Sequence, residues 1–164
     1  MHLNFTVELM EMQIAGNRYF LYEHPEWASS WNMESIQRLM AYPEVQRARA
    51  DQCQYNLKAQ RGKWTGHSVM KPTGFLSTSA ALLKELEKRC PGLKGKCGNG
   101  KQHAPCSGST ARDAQIYSRE LCEAMLRGMQ GQLKELGMIQ SGVIGLQSHD
   151  AQWEGDEILT TDVL

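Results

Sequence analysis

Three groups of residues in this 164-residue chain are of types that do chemistry. The first is Glu23, which follows the apolar run Tyr19-Phe20-Leu21-Tyr22 and precedes His24-Pro25. An apolar run of about four to eight residues bounded by turn signals reads as a strand of a parallel sheet covered on both faces. In open α/β sheets, ligands sit beyond the carboxyl ends of the strands. A Glu released there, with a proline fixing the backbone behind it, stands where a catalytic or base-reading carboxylate belongs. The plain alternative is a solvated Glu at a strand end. The second group is Asp51-Gln52-Cys53-Gln54 with Lys71-Pro72-Thr73, at the ends of two further candidate strands. A carboxylate, an amide and a cation gathered at one sheet edge can read the Watson–Crick edge of a base; ordinary loop polarity is the alternative.

The third group is Cys90, Cys97, His103 and Cys106. Thiolate and imidazole ligands suit zinc. The intervening segments of six, five and two residues match no common zinc finger. Ordinary loop or core cysteines, which behave as small hydrophobes, are the competing reading. Lys94, Lys96 and Lys101 share this loop and either contact phosphates or are simply solvated. Cys53 is not read as a nucleophile, because Asp51 beside it would raise its pKa. His24 reads as a hydrogen-bonded strand-end residue, and Trp27, Trp31 and Trp64 as packing. No Gly-rich phosphate loop follows a strand.

The elements that would position these groups can be read from periodicity. Leu3, Val7, Met10 and Ile14 lie at helical spacing, with Gly16 as the stop. A strand over Tyr19–Tyr22 follows, then a short helix over Met33–Met40 that ends at Tyr42-Pro43. Extended stretches are expected over 45–55 and 68–78, joined by a polar, Gly-containing connection, with a terminal hairpin as one option. Thr78 or Ser79 caps a helix that runs to Pro91-Gly92. Thr110 and Asp113 form a capping-box-like pair that opens a long helix through Leu133 to a cap at Gly137.

Composition narrows the class. The chain is long enough for one domain with a real core. Its 18 basic and 18 acidic side chains cancel, so bulk charge points to neither nucleic acid nor membrane. No apolar run approaches the roughly 20 residues of a membrane span, and the N-terminal segment lacks the basic region of a signal peptide. The five cysteines are odd in number and widely spaced, which argues for a reducing, intracellular setting, nuclear or cytoplasmic. Mean hydropathy is −0.50. Residues 149–164 hold five acidic side chains and no Lys or Arg and read as a disordered tail.

In order, the segments RYFLYEHP, ASSW, IQRLMAYPEV, ADQCQYNL, MKPTGFLSTS, RC and LCEAMLRG resemble a domain of retroelement (Copia-like) polyproteins of dinoflagellates and other microbial eukaryotes. The resemblance covers roughly Gly16 to Gly128. In those polyproteins a Pro-Pro-Cys motif precedes the segment, and the whole resembles a divergent DNA cytosine-5 methyltransferase. Glu23 then stands for the Glu of the Glu-Asn-Val motif, which holds a flipped cytosine while a Cys attacks the ring. Asp51 to Leu57 resembles the family's Asp-Tyr-Gly segment, and Lys71 stands about where an Arg of the Gln-x-Arg-x-Arg motif sits. This chain departs from the pattern. His24-Pro25 replace Asn-Val, Gln-x-Arg-x-Arg is absent, and His103 stands alone where the relatives have closely spaced histidines. The nucleophile and the Gly-rich S-adenosylmethionine loop would lie upstream of Met1.

The resemblance implies an α/β domain over 1–137 with a partial Rossmann-like, methyltransferase-type sheet and flanking helices, followed by an acidic tail over 138–164. Its function would be that of a truncated DNA methyltransferase-like domain of a mobile-element polyprotein, catalytically incompetent alone. Glu23 would be the catalytic relic, and Asp51, Gln52 and Lys71 the substrate contacts. S-adenosylmethionine would require the missing upstream half, which is an expected partner beside DNA; no membrane partner is expected. The alternatives are a non-catalytic nucleic-acid-binding module with a Cys/His zinc site, and a degenerate gene fragment.

Overall fold

The computed structural model describes residues 2–140, so the expected tail lies outside the described residues from position 141 onward. Helix α1 (His2–Ala15) buries Val7 and Met10, as their spacing requires. It ends directly before Gly16, where the stop is expected. Asn17 takes the left-handed conformation (φ 50°), and the Arg18 N–H returns to the Gln13 carbonyl at 2.8 Å. Then come β1 (Leu21–Pro25), α2 (Glu34–Met40), β2 (Gln46–Asp51), β3 (Pro72–Ser77), α3 (Ala80–Leu86), α4 (Gly108–Asp113) and α5 (Arg119–Glu135).

The fold is mixed α/β, built on a three-stranded sheet of order β1-β3-β2. Both strand pairs are antiparallel, which corrects the expectation of a parallel, Rossmann-like sheet. A parallel neighbour needs a crossover across one face. The connection from β2 to β3 has no such helix and holds only two short 3-10 turns, so β3 returns beside β2 in the opposite sense. The first strand is also shifted. It contains Glu23, which pairs with Phe75 in mid-strand rather than leaving a strand end. The ladder is extended past Pro25 by the Glu26 N–H, which donates to the Pro72 carbonyl at 3.1 Å.

Directly opposed residues share a face. Phe75 and Ala48 therefore face α3 and α5, where they pack with Ala50, Tyr55, Leu83, Leu86, Leu121 and Ala124. Leu76 faces the other way and joins Val7, Met10, Trp31, Ile36, Leu39 and Val45. Helices α3 and α5 approach so closely that a Cβ on Gly128 would lie 2.7 Å from the Leu82 Cα. Ser79 caps α3, accepting from the Leu82 N–H. That helix stops at Leu86, short of Pro91, because the Asp51 N–H takes the Lys88 carbonyl and draws the chain out against the end of β2. The long helix expected from Thr110 is two helices. Lys71 Nζ donates to the Ala114 carbonyl at 2.9 Å, and Ser118 starts α5 as its N-cap. Gly137 (φ 68°) follows the end of α5 as expected.

Trp31 is buried and Trp64 packs on a third, smaller cluster, as expected for packing residues. Trp27 departs from that expectation: it is 73% exposed, with the Arg49 guanidinium 4.6 Å from its ring centroid. Among the described residues no helix is long and apolar enough to cross a membrane.

Candidate metal centre

Between Glu87 and Tyr117 only Cys97, Ala104, Thr110 and Ala114 are buried. So little apolar burial cannot offset the backbone entropy of ordering such a stretch. What converges there is a set of ligands. Cys53, Cys90, Cys97 and His103 bring three sulfurs and one imidazole nitrogen within 4.8 Å of one another. Cys90 Sγ lies 4.0 Å from Cys97 Sγ and 3.7 Å from His103 Nε2. Bond lengths of about 2.3 Å to sulfur and 2.0–2.1 Å to nitrogen give tetrahedral edges of about 3.8 and 3.6 Å. These two separations are close to those edges, and the sulfurs are too far apart for a disulfide.

Four local devices assemble the set. Cys53 sits in the 3-10 turn Gln52–Tyr55 directly after β2, closed by Asn56 at φ 60°. Cys90 is brought beside it by Asp51, whose Oδ2 accepts the Cys90 N–H at 2.8 Å and faces Arg89 Nε at 3.3 Å. Cys97 opens a tight knuckle in which the Gly100 N–H donates to the Cys97 carbonyl and the Cys97 N–H to the Lys101 carbonyl. Gly92 lets the loop fold back on this knuckle, since a Cβ there would collide with the Lys96 carbonyl. Finally, His103 Nδ1 lies 3.0 Å from the Gly95 carbonyl. Only a protonated Nδ1 can donate there, so Nε2 is left with its lone pair toward the sulfurs.

The thiols are differentiated. Burial pushes Cys53 up to about 12, against the hydrogen bond from Gln54. Burial also opposes ionisation of Cys97, but hydrogen bonds from the Asn99 backbone, Ser68, Cys90 and Cys53 lower its pKa on balance.

Three of the four residues expected to bind metal, Cys90, Cys97 and His103, are in the cluster. Cys106 is not, and Cys53 takes its place. Ala104 is buried and tied to the strand-like segment beside it, its N–H donating to the Ser68 carbonyl at 2.9 Å. The chain then passes Pro105 and leaves Cys106 exposed near Lys71. The signal for Cys53 was its place at a strand end in the same polar segment as Asp51.

The four residues expected to contact a base do not form one group. Asp51 belongs to the metal centre, where only 4% of its side chain is exposed. Gln52 Nε2 donates to Thr73 Oγ1 at 2.9 Å. Glu23 and Lys71 do meet, with Oε1 and Nζ 3.9 Å apart, and Glu23 Oε1 is buried without a hydrogen-bond partner. Burial and the Glu23 carboxylate push the nearby Tyr117 phenol up to about 12. His24 is hydrogen-bonded as expected, its Nε2 2.6 Å from Ser30 Oγ, and it stacks on Tyr22. No family model, no curated protein and no solved structure matches the chain.

Proposed function

We propose that the chain is a non-catalytic binding module whose 87–106 loop is fixed by a zinc ion held by Cys53, Cys90, Cys97 and His103. The convergence of four soft or borderline ligand atoms within 4.8 Å carries this reading. Three thiolates and a neutral imidazole select zinc over magnesium or calcium, which prefer oxygen ligands. Four protein ligands close the tetrahedron and leave no position for a substrate or an activated water, so the ion's role is structural. Elemental analysis of the purified chain tests this: stoichiometric zinc is expected, and a metal-free chain with an unchanged melting temperature would sink the proposal.

A second reading, the methyltransferase-like fragment, is favoured by one observation: Glu23 Oε1 is buried beside Lys71, 3.9 Å from Nζ, and accepts no hydrogen bond among the described residues. The antiparallel sheet lends it no support. In this reading Glu23 accepts from the exocyclic amine of an extruded cytosine, while S-adenosylmethionine and the nucleophile belong to an upstream half. A base contact of this kind contributes about 1–3 kcal/mol. Glu23→Ala should therefore weaken binding of a cytosine-containing single strand about 5- to 150-fold, with no effect on the same strand carrying thymine. Equal effects on both strands would dispose of it.

A further inference from the structure

We infer that the metal-held loop, residues 87–106, is a docking surface for the phosphate backbone of a nucleic-acid duplex. The inference rests on the metal-centre reading, because an unfixed loop could not hold its charges in register. Lys88, Arg89, Lys94, Lys96 and Lys101 lie in this segment, and Glu87 at its edge is its one acidic residue. The whole chain is neutral, with 18 basic and 18 acidic side chains, so the positive charge is segregated here and the remainder is acidic. A zinc ion with three thiolates and a neutral imidazole adds a single formal negative charge, which leaves the loop strongly basic.

The geometry presents these charges outward. Lys94, Lys96 and Lys101 are exposed, and among the described residues none of them makes an ion pair, whereas Arg89 is held by Asp51. Lys94 and Gly95 both have positive φ (52° and 78°), which makes a tight turn. The Lys96–Gln102 bridge then lays the two arms of the loop side by side, so Lys96 and Lys101 sit close together on one short ribbon. At the knuckle, a Cβ on Gly100 would meet nothing within 4 Å, which leaves the backbone open to close approach. Three exposed lysines clustered on one turn and ribbon, without ion-pair partners among the described residues, can each meet a phosphate and gain affinity by counterion release.

The chemistry of the loop favours a duplex over other polyanions. It contains no Phe, Tyr or Trp. Binding to single strands relies on aromatic stacking, which this surface cannot supply. Its one exposed large apolar side chain, Leu93, is too little to anchor a lipid surface.

The test uses the full zinc-loaded chain and a mixed-sequence DNA duplex, read by fluorescence anisotropy over a salt series, with zinc content measured on each sample. The triple variant Lys94→Gln, Lys96→Gln, Lys101→Gln should keep its zinc, bind the duplex about tenfold or more weaker, and flatten the log–log salt slope by about 0.9 per lysine. The corresponding triple Lys→Arg variant should bind as the parent does. Unchanged duplex affinity in the zinc-loaded Gln variant overturns the inference. So does tighter binding to a single strand, or binding only to phosphatidylserine vesicles. Each of these leaves the metal centre standing. A parent chain without zinc overturns the metal centre itself.

Discussion

Cys53→Ser is expected to strip the chain of its metal, and Cys106→Ser to leave the metal in place. A serine hydroxyl is a harder, weaker ligand that does not ionise near neutral pH, so one substitution within the set of four opens the tetrahedron. The loss of affinity should exceed the roughly 10- to 100-fold typical of removing an outer-shell partner. Cys106 is exposed beyond Ala104 and Pro105 and contributes no atom to the cluster, so its substitution should change zinc content by less than about a tenth. The structural consequence should be local. The two apolar clusters on the faces of the sheet contain no residue between Glu87 and Tyr117. Hydrogen exchange on Cys53→Ser should therefore show lost protection over 90–104 while β1, β2 and β3 stay protected. Retained zinc in Cys53→Ser, or lost zinc in Cys106→Ser, would return the ligand set to the one that sequence spacing suggested.

The contrast between these two cysteines shows where sequence is informative. Features encoded within a few residues were legible: the helical spacing of Val7 and Met10, the Ser79 cap, the glycine after α5, and three ligands lying within 14 residues of one another from Cys90 to His103. Features set by contacts between distant segments were not. The antiparallel sense of the sheet depends on how the 52–71 connection turns, and no periodicity in β2 or β3 records it. The register of β1 depends on β3, so an apolar run that seemed to end before Glu23 continues through it as a strand. The fourth ligand comes from a turn that is remote in sequence and is brought near by the Asp51–Lys88 backbone bond. Cys106 lay nearer along the chain, but chain distance is a poor guide once a buried alanine redirects the backbone.

Asp51 carries the second large expected effect, because the sheet and the metal centre meet at its carboxylate. Oδ2 accepts the Cys90 N–H at 2.8 Å and faces Arg89, while Oδ1 lies 3.9 Å from Arg49. Arg49 in turn faces Glu26, which also pairs with Arg47 at 2.8 Å, so a chain of alternating charges runs from the sheet to the ligand loop. Asp51→Ala leaves the Cys90 N–H without its acceptor and Arg49 with only the 3.8 Å contact to Glu26 and the face of Trp27. Breaking a buried pair costs about 3–5 kcal/mol. Arg89 is half exposed, which screens its share, so a loss of about 2–4 kcal/mol is expected in denaturant unfolding. The same variant should bind zinc about 10- to 100-fold more weakly in competition with a chromophoric chelator, because the Cys90 backbone is no longer held in place. Asp51→Asn separates the two contributions. Its amide oxygen can still accept from Cys90 while the ion pairs are lost, so it should recover most of the zinc affinity and little of the stability. Parent-like zinc affinity in Asp51→Ala would mean that the loop finds its ligand geometry unaided and that the carboxylate serves the arginines alone.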